Sequence, residues 1–359
     1  MAAITTPSHV NTSPAYSRDL RKFVITALIT LFALMILFVY LLPIGNMFTV
    51  ALSDTSQLSV TGTSPLLPTK PDTYNYQGRD YDIYLVPLAD GERPLALVDP
   101  GRRSSDFIDP SNPDAGLITW EGNWRTLTRV EEVSLKWSNF NEAWDRINFP
   151  RLFRNTLIIA LVSLVGTLIS CIAVAYAFAR FPIPGKNILF IILIGTIILP
   201  SQVTLIPTYA FFAAIGWTNT FLPLIVPHFF ANAYNVFLLR QYFLTLPRDL
   251  DEAAMIDGAG PWRVLLQVII PQSWPVILAV SVFHFVWAWN DFFGPLIYLI
   301  GNPELQPISV GVQVFNFQYG PRPELVQATS LMAMVLPLII FFLAQRAFMR
   351  GVVVTGVEK

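Results

Sequence analysis

Six apolar runs are spaced along the chain and separated by polar connections. Each run has about the 17 to 25 residues that an α-helix needs to cross a lipid bilayer. The pattern therefore predicts an all-α polytopic membrane protein with six transmembrane helices. The predicted spans are Phe23–Leu42, Asn155–Ala179, Asn187–Phe212, Phe221–Leu239, Trp274–Ile300 and Val326–Gln345.

The charges between the runs indicate which side of the membrane each connection occupies. Basic residues precede the first run, flank the second-to-third and fourth-to-fifth connections, and follow the last run, whereas the short connection 215–219 has no charge. Lys and Arg collect in short cytoplasmic loops. We therefore expect the N-terminal tail 1–22 and the C-terminal tail 346–359 to be cytoplasmic, with the first helix, 23–42, running outward.

The segment 43–151 between the first two runs is then expected to lie outside the cytoplasm. Residues 81–86 and 94–98 flank an Asp90-Gly91 turn, which predicts a β-hairpin, and Pro87 and Pro94 favour an edge position for its strands. The stretch Ser53–Asp72 is expected to be a linker, and Asp99–Asp114 an irregular loop.

Composition narrows the function class. Of the 359 residues, 53% are hydrophobic and 13% charged, which is too apolar for a soluble globular protein of this size. A formal net charge of -1 gives no basic excess for binding nucleic acid. The lone Cys171 lies in an apolar run, where a small buried side chain is expected.

The polar connection 247–271 is patterned as two short helices with an elbow. Asp249 or Asp251 is a candidate N-cap for the first, which ends at Gly258, and Gly260-Pro261 begins the second. Small alanines next to Glu252 would let another protein approach the helix backbone closely. The alternative is a simple connector with a solvated acidic face.

Several motifs together give a specific resemblance. The loop carries Glu-Ala-Ala at 252–254, Asp-Gly-Ala at 257–259 and Pro271, with Val268 and Ile270 before it in place of the usual Ile and Leu. Residues 137–359 resemble the carbohydrate-uptake permeases of ATP-binding cassette importers, which are similar to the maltose permease subunit MalG and have a MetI-like core. The other matching motifs are Arg154–Leu157, Ala175–Phe181, Ile206–Tyr209, Leu239–Phe243, Trp289–Phe292 and Gln345, Phe348, Gly351 and Gly356.

The resemblance implies a transport subunit whose permease core, 152–345, forms half of a translocation pathway. It implies a second homologous permease, a cytoplasmic ATPase dimer and an extracytoplasmic sugar-binding protein as partners, and no cofactor. The chain has no phosphate-binding GxxxxGK[ST] motif, so we expect the ATPase site on a separate subunit. The residues implied for coupling to that ATPase are Glu252, Ala253, Ala254, Asp257, Gly258, Ala259 and Pro271.

Polar residues within the apolar runs are candidates for the translocation pathway or a gate: Asn232, Asn235, Thr208, Tyr209, Asn290 and Asp291, with Gln202 and Thr204 nearby. A charge at Asp291 is costly in a membrane unless it is paired or hydrated. For Asn290 and Asp291 the alternative is that they satisfy backbone groups at a helix break, next to Gly294 and Pro295. For Asn232 and Asn235, which are three residues apart, the alternative to a pathway role is hydrogen bonding between helices. His228 and His284 have no second ligand at metal spacing.

Two other functions stay open. One is an ion-coupled secondary transporter, in which Asp291 would carry a proton or sodium ion. The other is a membrane receptor that senses a ligand with the insertion 43–151.

Overall fold

The structure is a computed structural model that describes residues 15–61, 67–88, 91–317 and 321–353. The chain forms two compact units, 1–134 and 135–359. The first combines two helices with β-sheet, and the second is helical.

The first unit begins with a long apolar helix, α1. It covers 37 residues, Ala15–Ala51, and continues through Pro43 beyond the predicted end at Leu42. At 1.5 Å per residue the helix is about 55 Å long, well over the ~30 Å hydrocarbon thickness of a bilayer. Its segment Leu20–Ala51 is long and apolar enough to cross a membrane. The unit continues with α2 (Thr55–Thr61) and strands β1 (Thr69–Pro71), β2 (Thr73–Tyr76), β3 (Arg79–Leu88), β4 (Gly91–Asp99), β5 (Ser104–Ile108), β6 (Leu117–Glu121), β7 (Thr128–Arg129) and β8 (Glu131–Val133).

The strands form an antiparallel sheet in the order β2-β3-β4-β5-β6, with β7 also paired to β3 and a separate β1-β8 pair. The predicted hairpin is confirmed, because β3 pairs with β4 from Leu88 opposite Gly91 to Ile83 opposite Ala96. Residue 90 of its turn lies outside the described residues. Two faces of the sheet bury small apolar clusters around Ile83 and around Val86.

The predicted edge position of the hairpin strands is wrong, since both β3 and β4 have neighbours on each side. Proline is tolerated because the second neighbour does not reach it. Pro87 pairs with β4 beyond the region where β2 and β7 pair with β3, and Pro94 precedes Ala96, where pairing with β5 begins. Each proline therefore needs no ladder N–H on one side of its strand.

Two loop predictions in this unit are also wrong in part. The expected linker Ser53–Asp72 contains α2 and β1, and the expected loop Asp99–Asp114 contains β5. In β5 the polar residues Ser104 and Asp106 lie opposite Glu121 and Thr119 of β6, so pairing overrides the turn-like composition.

The second unit is a set of packed helices. The longest are α4, which runs from Phe149 to Arg180, and α16, which runs from Pro323 to Val353. The remaining helices are α3 (Ser138–Arg146), α5 (Lys186–Gly195), α6 (Ser201–Ala214), α7 (Leu222–Ile225), α8 (Ala233–Thr245), α9 (Asp249–Ile256), α10 (Pro261–Val264), α11 (Ile270–Gln272), α12 (Trp274–Asn290), α13 (Phe293–Tyr298), α14 (Ile308–Gly311) and α15 (Val314–Phe317), with 3-10 turns at Thr196–Ile198, Val226–Phe229 and Pro303–Leu305 and a π-helical turn at Leu265–Ile269.

Four helical segments of the described chain are long and apolar enough to span a membrane, and six if each of two bent pairs counts as one span. The predicted third span is not straight: α5 and α6 are separated by a 3-10 turn and by Pro200, whose ring restricts the backbone. The predicted fifth span ends as a helix at Asn290, and a second short helix begins at Phe293.

The core of this unit joins α4 to α8, α12 and the segment 261–272. Buried side chains of all four elements form one apolar cluster, which includes Cys171, Phe243, Ile269 and Val280. Cys171 is fully buried, as predicted. The polar connection 247–271 is therefore fixed to the transmembrane helices by the apolar residues of its second half, Val264, Leu265 and Ile269.

Candidate functional site

The loop carrying the Glu-Ala-Ala motif begins with α9. It ends in a Schellman turn, in which Ala259 N–H donates to Ala254 C=O at 2.9 Å and Gly258 N–H donates to Met255 C=O at 3.0 Å. Gly258 has a φ of +81°, the left-handed conformation that such a turn requires. The predicted end of the first helix at Gly258 is confirmed.

The predicted N-cap of this helix is wrong. Arg248 occupies the cap position, and no side chain accepts a hydrogen bond from the first turn. Asp251 is instead buried and turned toward Arg180, while Asp249 is exposed. The acidic residues in the first turn still favour the helix N-terminus through the helix dipole.

Most of the predicted coupling residues lie on one exposed surface. Glu252, Ala253, Asp257 and Gly258 are exposed, whereas Ala254 and Ala259 are half-buried and pack against the core. Ile256 has 87% of its surface exposed. We name the exposed residues 252, 253 and 255–258 the knuckle. Exposed apolar side chains beside carboxylates are typical of a surface that binds another protein.

The second half of the loop continues from the knuckle into the membrane helices. Gly260 caps α10 and Pro261 is its first residue, as predicted. The π-helical turn at Leu265–Ile269 follows, and Pro271 lies in the last helical turn before α12. The segment Pro261–Gln272 meets Trp274–Asn290 at an angle of 80°.

An ion pair that the sequence did not predict joins the loop to α4. Arg180 Nε lies 2.7 Å from Asp251 Oδ2, with side-chain exposures of 7% and 8%. The contact is an ion pair by distance, without the alignment of a hydrogen bond, and Asp251 Oδ1 has no hydrogen-bond partner in the described part of the chain. Burial raises the pKa of Asp251 above its usual value, although Arg180 and Arg248 act in the opposite direction.

The two asparagines predicted for a pathway do not share a helix face. Asn232 precedes α8 as its N-cap, and its Oδ1 accepts a hydrogen bond of 3.0 Å from the Asn235 N–H. Its Nδ2 lies 3.7 Å from Cys171 Sγ, and Asn235 is buried. A 3-10 turn at Val226–Phe229 interrupts the predicted fourth span before them. The amide of Asn232 is thus engaged in helix capping.

The polar residues of α6 contact α13. Thr208 Oγ1 lies 3.2 Å from the Tyr298 hydroxyl and donates to the carbonyl of Thr204, and the rings of Tyr209 and Tyr298 stack with centroids 6.1 Å apart. The side chain of Gln202 lies outside the described residues. Tyr298 was not predicted as a site residue, because a tyrosine in an apolar run has no distinguishing spacing.

Asn290 and Asp291 lie where α12 ends. Asp291 Oδ1 accepts a hydrogen bond of 3.2 Å from the Gly294 N–H, and the Asp291 carbonyl accepts one of 2.6 Å from Ser309. Asn290 donates to the carbonyl of Val286 in its own helix. A Cβ on Gly294 would lie 2.5 Å from Asp291 Oδ2, so a larger residue at this position would displace the Asp291 carboxylate. Both side chains satisfy backbone groups around the helix break.

A small cavity of about 160 Å³ lies between α4, α7, the turn Val226–Phe229, α12 and α13. Asp291 and Tyr298 line it together with Ser163 and His228. Next to it, His284 is buried and lies 3.0 Å from Ser163 Oγ and 3.3 Å from Thr167 Oγ1, which joins α12 to α4. In the described part of the chain, no group of three or more His, Cys, Asp or Glu side chains is arranged to hold a metal ion.

Comparison with known proteins assigns the fold to a family. Residues 166–353 match the family described as binding-protein-dependent transport system inner membrane component. The chain is 32% identical over 260 residues to the osmoprotective compounds uptake permease protein GgtD of Synechocystis sp., covering 70% of this chain and 85% of that protein. It is 30% identical over 227 residues to the alpha-glucoside transport system permease protein AglG of Rhizobium meliloti, covering 61% and 60%.

A solved structure has the same fold. A chain of a bacterial ABC transporter involved in the import of the acidic polysaccharide alginate aligns with a TM-score of 0.61 at 18% identity, covering 96% of this chain and all of that one. The helical core, the loop with the Glu-Ala-Ala motif and the family match all indicate the same family. This chain belongs to the family of binding-protein-dependent transport system inner membrane components.

Proposed function

We propose that this chain is the permease subunit of an ATP-binding cassette importer, that it forms half of the translocation pathway for a sugar, and that it couples to a separate ATPase through loop 247–271. The observation that carries the proposal is the knuckle. It is exposed, closed by the Gly258 turn, and continuous through Val264 and Ile269 with the core of the membrane helices. Because the knuckle is joined to this packed core, we expect a displacement of the knuckle to displace the membrane helices.

The proposed roles within the knuckle follow from exposure and side-chain size. Glu252 supplies the polar contact to the ATPase, and Ala253 lets that subunit approach the helix backbone closely. Ile256 supplies an apolar contact, since most of its surface is free. Asp257 and Gly258 shape the turn, and Ala254 and Ala259 hold the loop against the core. Pro271 is exposed and lies in the last helical turn before α12.

The proposed topology has six spans, of which the third is bent between α5 and α6 and the fifth, 274–300, is interrupted after Asn290. Both termini, 1–22 and 346–359, are cytoplasmic, span 23–42 runs outward, and 43–151 is an extracytoplasmic insertion before the core 152–345. The placement of basic residues and the four unbroken candidate spans of the described chain support this arrangement, and the bent pair α5–α6 is the candidate for a further span. Residues 135–151 pack with the helical unit, and α3 contacts α16 there.

The proposed partners follow from what the chain lacks and from its family. With no phosphate-binding motif in the sequence, ATP hydrolysis belongs to a cytoplasmic ATPase dimer. A second homologous permease completes the pathway, and an extracytoplasmic binding protein delivers the cargo, as the family description implies. Alternating access is then a two-state movement of helices driven through the knuckle.

A sugar or a related polar solute is the proposed cargo. The relatives are named for osmoprotective compounds and for alpha-glucosides, and the resemblance of the sequence motifs points to carbohydrate-uptake permeases. Among the pathway candidates, Thr208 and Tyr209 with Tyr298 are the polar and aromatic groups best suited to contact a sugar. Asn232, Asn235 and Asp291 have the surroundings of structural residues, whereas Asn290 is exposed and donates to the carbonyl of Val286 in its own helix.

The test of this function is ATP hydrolysis by the reconstituted complex with and without its binding protein. Glu252→Lys combined with Gly258→Pro is expected to abolish the stimulated hydrolysis while the chain still inserts and elutes as a single species. Asp249→Asn, at an exposed position of the same helix outside the knuckle, is the control and should hydrolyse ATP like the wild type. Unchanged stimulation in the double variant would leave loop 247–271 as a simple connector.

The insertion is proposed to support the docked binding protein. Two half-buried aromatic side chains lie near its surface, Trp120 in β6 and Trp124 in the 3-10 turn that follows, with Arg125 4.6 Å from the centre of the Trp124 ring. Deletion of residues 73–129 should reduce binding-protein-stimulated transport and leave basal ATP hydrolysis intact. Normal stimulated transport by the deleted chain would remove this role. A receptor function predicts ligand binding by the insertion without any transport.

The secondary-transporter alternative makes a different prediction for Asp291. If the carboxylate only caps α13, Asp291→Asn keeps an oxygen acceptor for Gly294 N–H and retains ATP-dependent uptake. If Asp291 carries an ion, the same variant abolishes uptake and its dependence on an ion gradient. Uptake in proteoliposomes, energised by ATP or by a gradient, distinguishes the two.

A further inference from the structure

The last turn of α4 contacts both halves of the proposed coupling loop. Arg180, the final residue of α4, forms the buried ion pair with Asp251, and its Nη2 donates a hydrogen bond of 3.1 Å to the carbonyl of Leu246, where α8 ends. One turn earlier on the same face, the Tyr176 hydroxyl donates to the Pro261 carbonyl at 3.3 Å. The end of α4 is thus bonded to the loop before and after the knuckle.

Asp251 is the only residue of α9 that is buried. The helix otherwise presents exposed or half-buried side chains, so its position relative to the membrane helices rests on this one carboxylate and on Ala254. A buried ion pair is weak evidence for stability, since removing two charges from water costs about as much as their attraction returns. The raised pKa of Asp251 agrees with such a balance. Charged partners of this kind specify where two elements meet.

We propose that Arg180 and Asp251 are a positioning pair, which ties the coupling helix α9 to the cytoplasmic end of α4 and carries the movement of the knuckle into that membrane helix. The inference rests on the proposed function. In this proposal α4 is the membrane helix that receives the movement of the coupling loop. Arg180 is then a coupling residue, although it lies outside loop 247–271.

The surroundings of Arg180 are rigid enough for this role. Ala175, Tyr176 and Ala179 of the same helix end belong to the buried core. On the neighbouring helix α8, Arg240 donates to the carbonyl of Phe178 at 3.4 Å and lies 4.1 Å from the centre of the Phe190 ring. Because this end of α4 is tightly packed, a displacement of Asp251 is expected to displace the helix end as a unit.

The experiment uses the complete complex with the ATPase that copurifies with the wild-type chain. Asp251→Asn and Arg180→Gln each break the pair, and Arg180→Met with Asp251→Leu replaces it by an apolar contact that should still fold. Asp249→Asn, the same substitution at an exposed position of the same helix, is the matched control. Three quantities are measured: copurified ATPase, thermal stability in detergent, and stimulated ATP hydrolysis.

The pair variants are expected to retain the ATPase but to lose binding-protein stimulation by about fivefold or more, within the range of typical coupling between sites. The apolar double variant should show this loss with near wild-type stability, which a merely structural role does not predict. Wild-type stimulation in the apolar double variant would overturn the inference. The proposed function fails separately, if Glu252→Lys with Gly258→Pro keeps full stimulation or if the wild-type chain retains no ATPase.

Discussion

Gly258 offers a sharp test of how the knuckle is built. Its φ of +81° lies in the left-handed region, and a Cβ built on it would meet no atom within 4 Å. Replacement by alanine therefore costs only the backbone strain, about 1–2 kcal/mol for a residue with a Cβ. Such a cost lowers the population of the ordered turn by a factor of roughly 5 to 30. Asparagine tolerates this conformation better, so Gly258→Asn should cost less than Gly258→Ala.

Gly260 provides the matched control, two residues along the chain. It also has open space around its Cβ position, but its φ of -74° is one that any residue adopts. Gly260→Ala is expected to leave the turn unchanged.

The assay is hydrogen exchange at the amides of residues 258 and 259, together with stimulated ATP hydrolysis. These two amides hold the Schellman turn through their bonds to Met255 and Ala254. In Gly258→Ala both should exchange faster, and stimulation should fall in the same order as the turn is destabilised. Equal exchange and equal stimulation in the Gly258→Ala and Gly260→Ala variants would refute the claim that the left-handed turn shapes the knuckle.

Three further predictions test the structural assignments. His284→Ala should lower the stability of the detergent-solubilised chain by about 1–2 kcal/mol, because Ser163 and Thr167 lose their shared partner, whereas Ser281→Ala on the same helix removes only a bond to its own helix and should be near neutral. Asn232→Ala should cost about 0.5–2 kcal/mol and Asn232→Ser much less if the residue acts as an N-cap, whereas an equal rise of the transport KM in both would indicate cargo contact. Burial raises the pKa of Asp251, Arg180 and Arg248 lower it, and Glu252 raises it, with a net shift upward. As the pH falls, Asp251 in the folded chain therefore takes up a proton before Asp251 in the unfolded chain does. Wild-type stability measured against Asp251→Asn should therefore rise as the pH is lowered from 7 toward about 4, and a fall over that range would contradict the direction of the shift.

The sequence predicted the features that depend on local pattern. The apolar runs located the helices, and the Gly258 end of α9 and the Gly260-Pro261 start of α10 follow from backbone preferences that a few neighbouring residues decide. The hairpin of β3 and β4 was predicted in the same way, from two strand-like runs on either side of an Asp-Gly turn.

Features that depend on distant partners were not predicted. Asp251 looked like a helix cap because short acidic side chains favour that position, but the guanidinium of Arg180 from another helix competes for it. The break at Val226–Phe229 interrupts a run whose composition stays apolar, so hydropathy alone did not show it. The break after Asn290 was one of two alternatives, because Gly294 and Pro295 follow it. Pro87 was assigned to an edge, because the sequence does not show how far β2 and β7 extend along β3.

The polar residues of the second unit divide into two groups with different consequences for transport. Within the membrane helices, Asn232, Asp291 and His284 are engaged in bonds to backbone or to neighbouring side chains. At the knuckle, Glu252 and Asp257 are exposed. Side chains already committed to holding the helices together bind a sugar only at the cost of those bonds. Substitutions along the helices are therefore expected to reduce stability before they change cargo affinity, whereas substitutions in the knuckle should change coupling at nearly constant stability. Measuring stability and stimulated ATP hydrolysis for each variant therefore distinguishes residues that hold the membrane helices together from residues of the knuckle that couple to the ATPase.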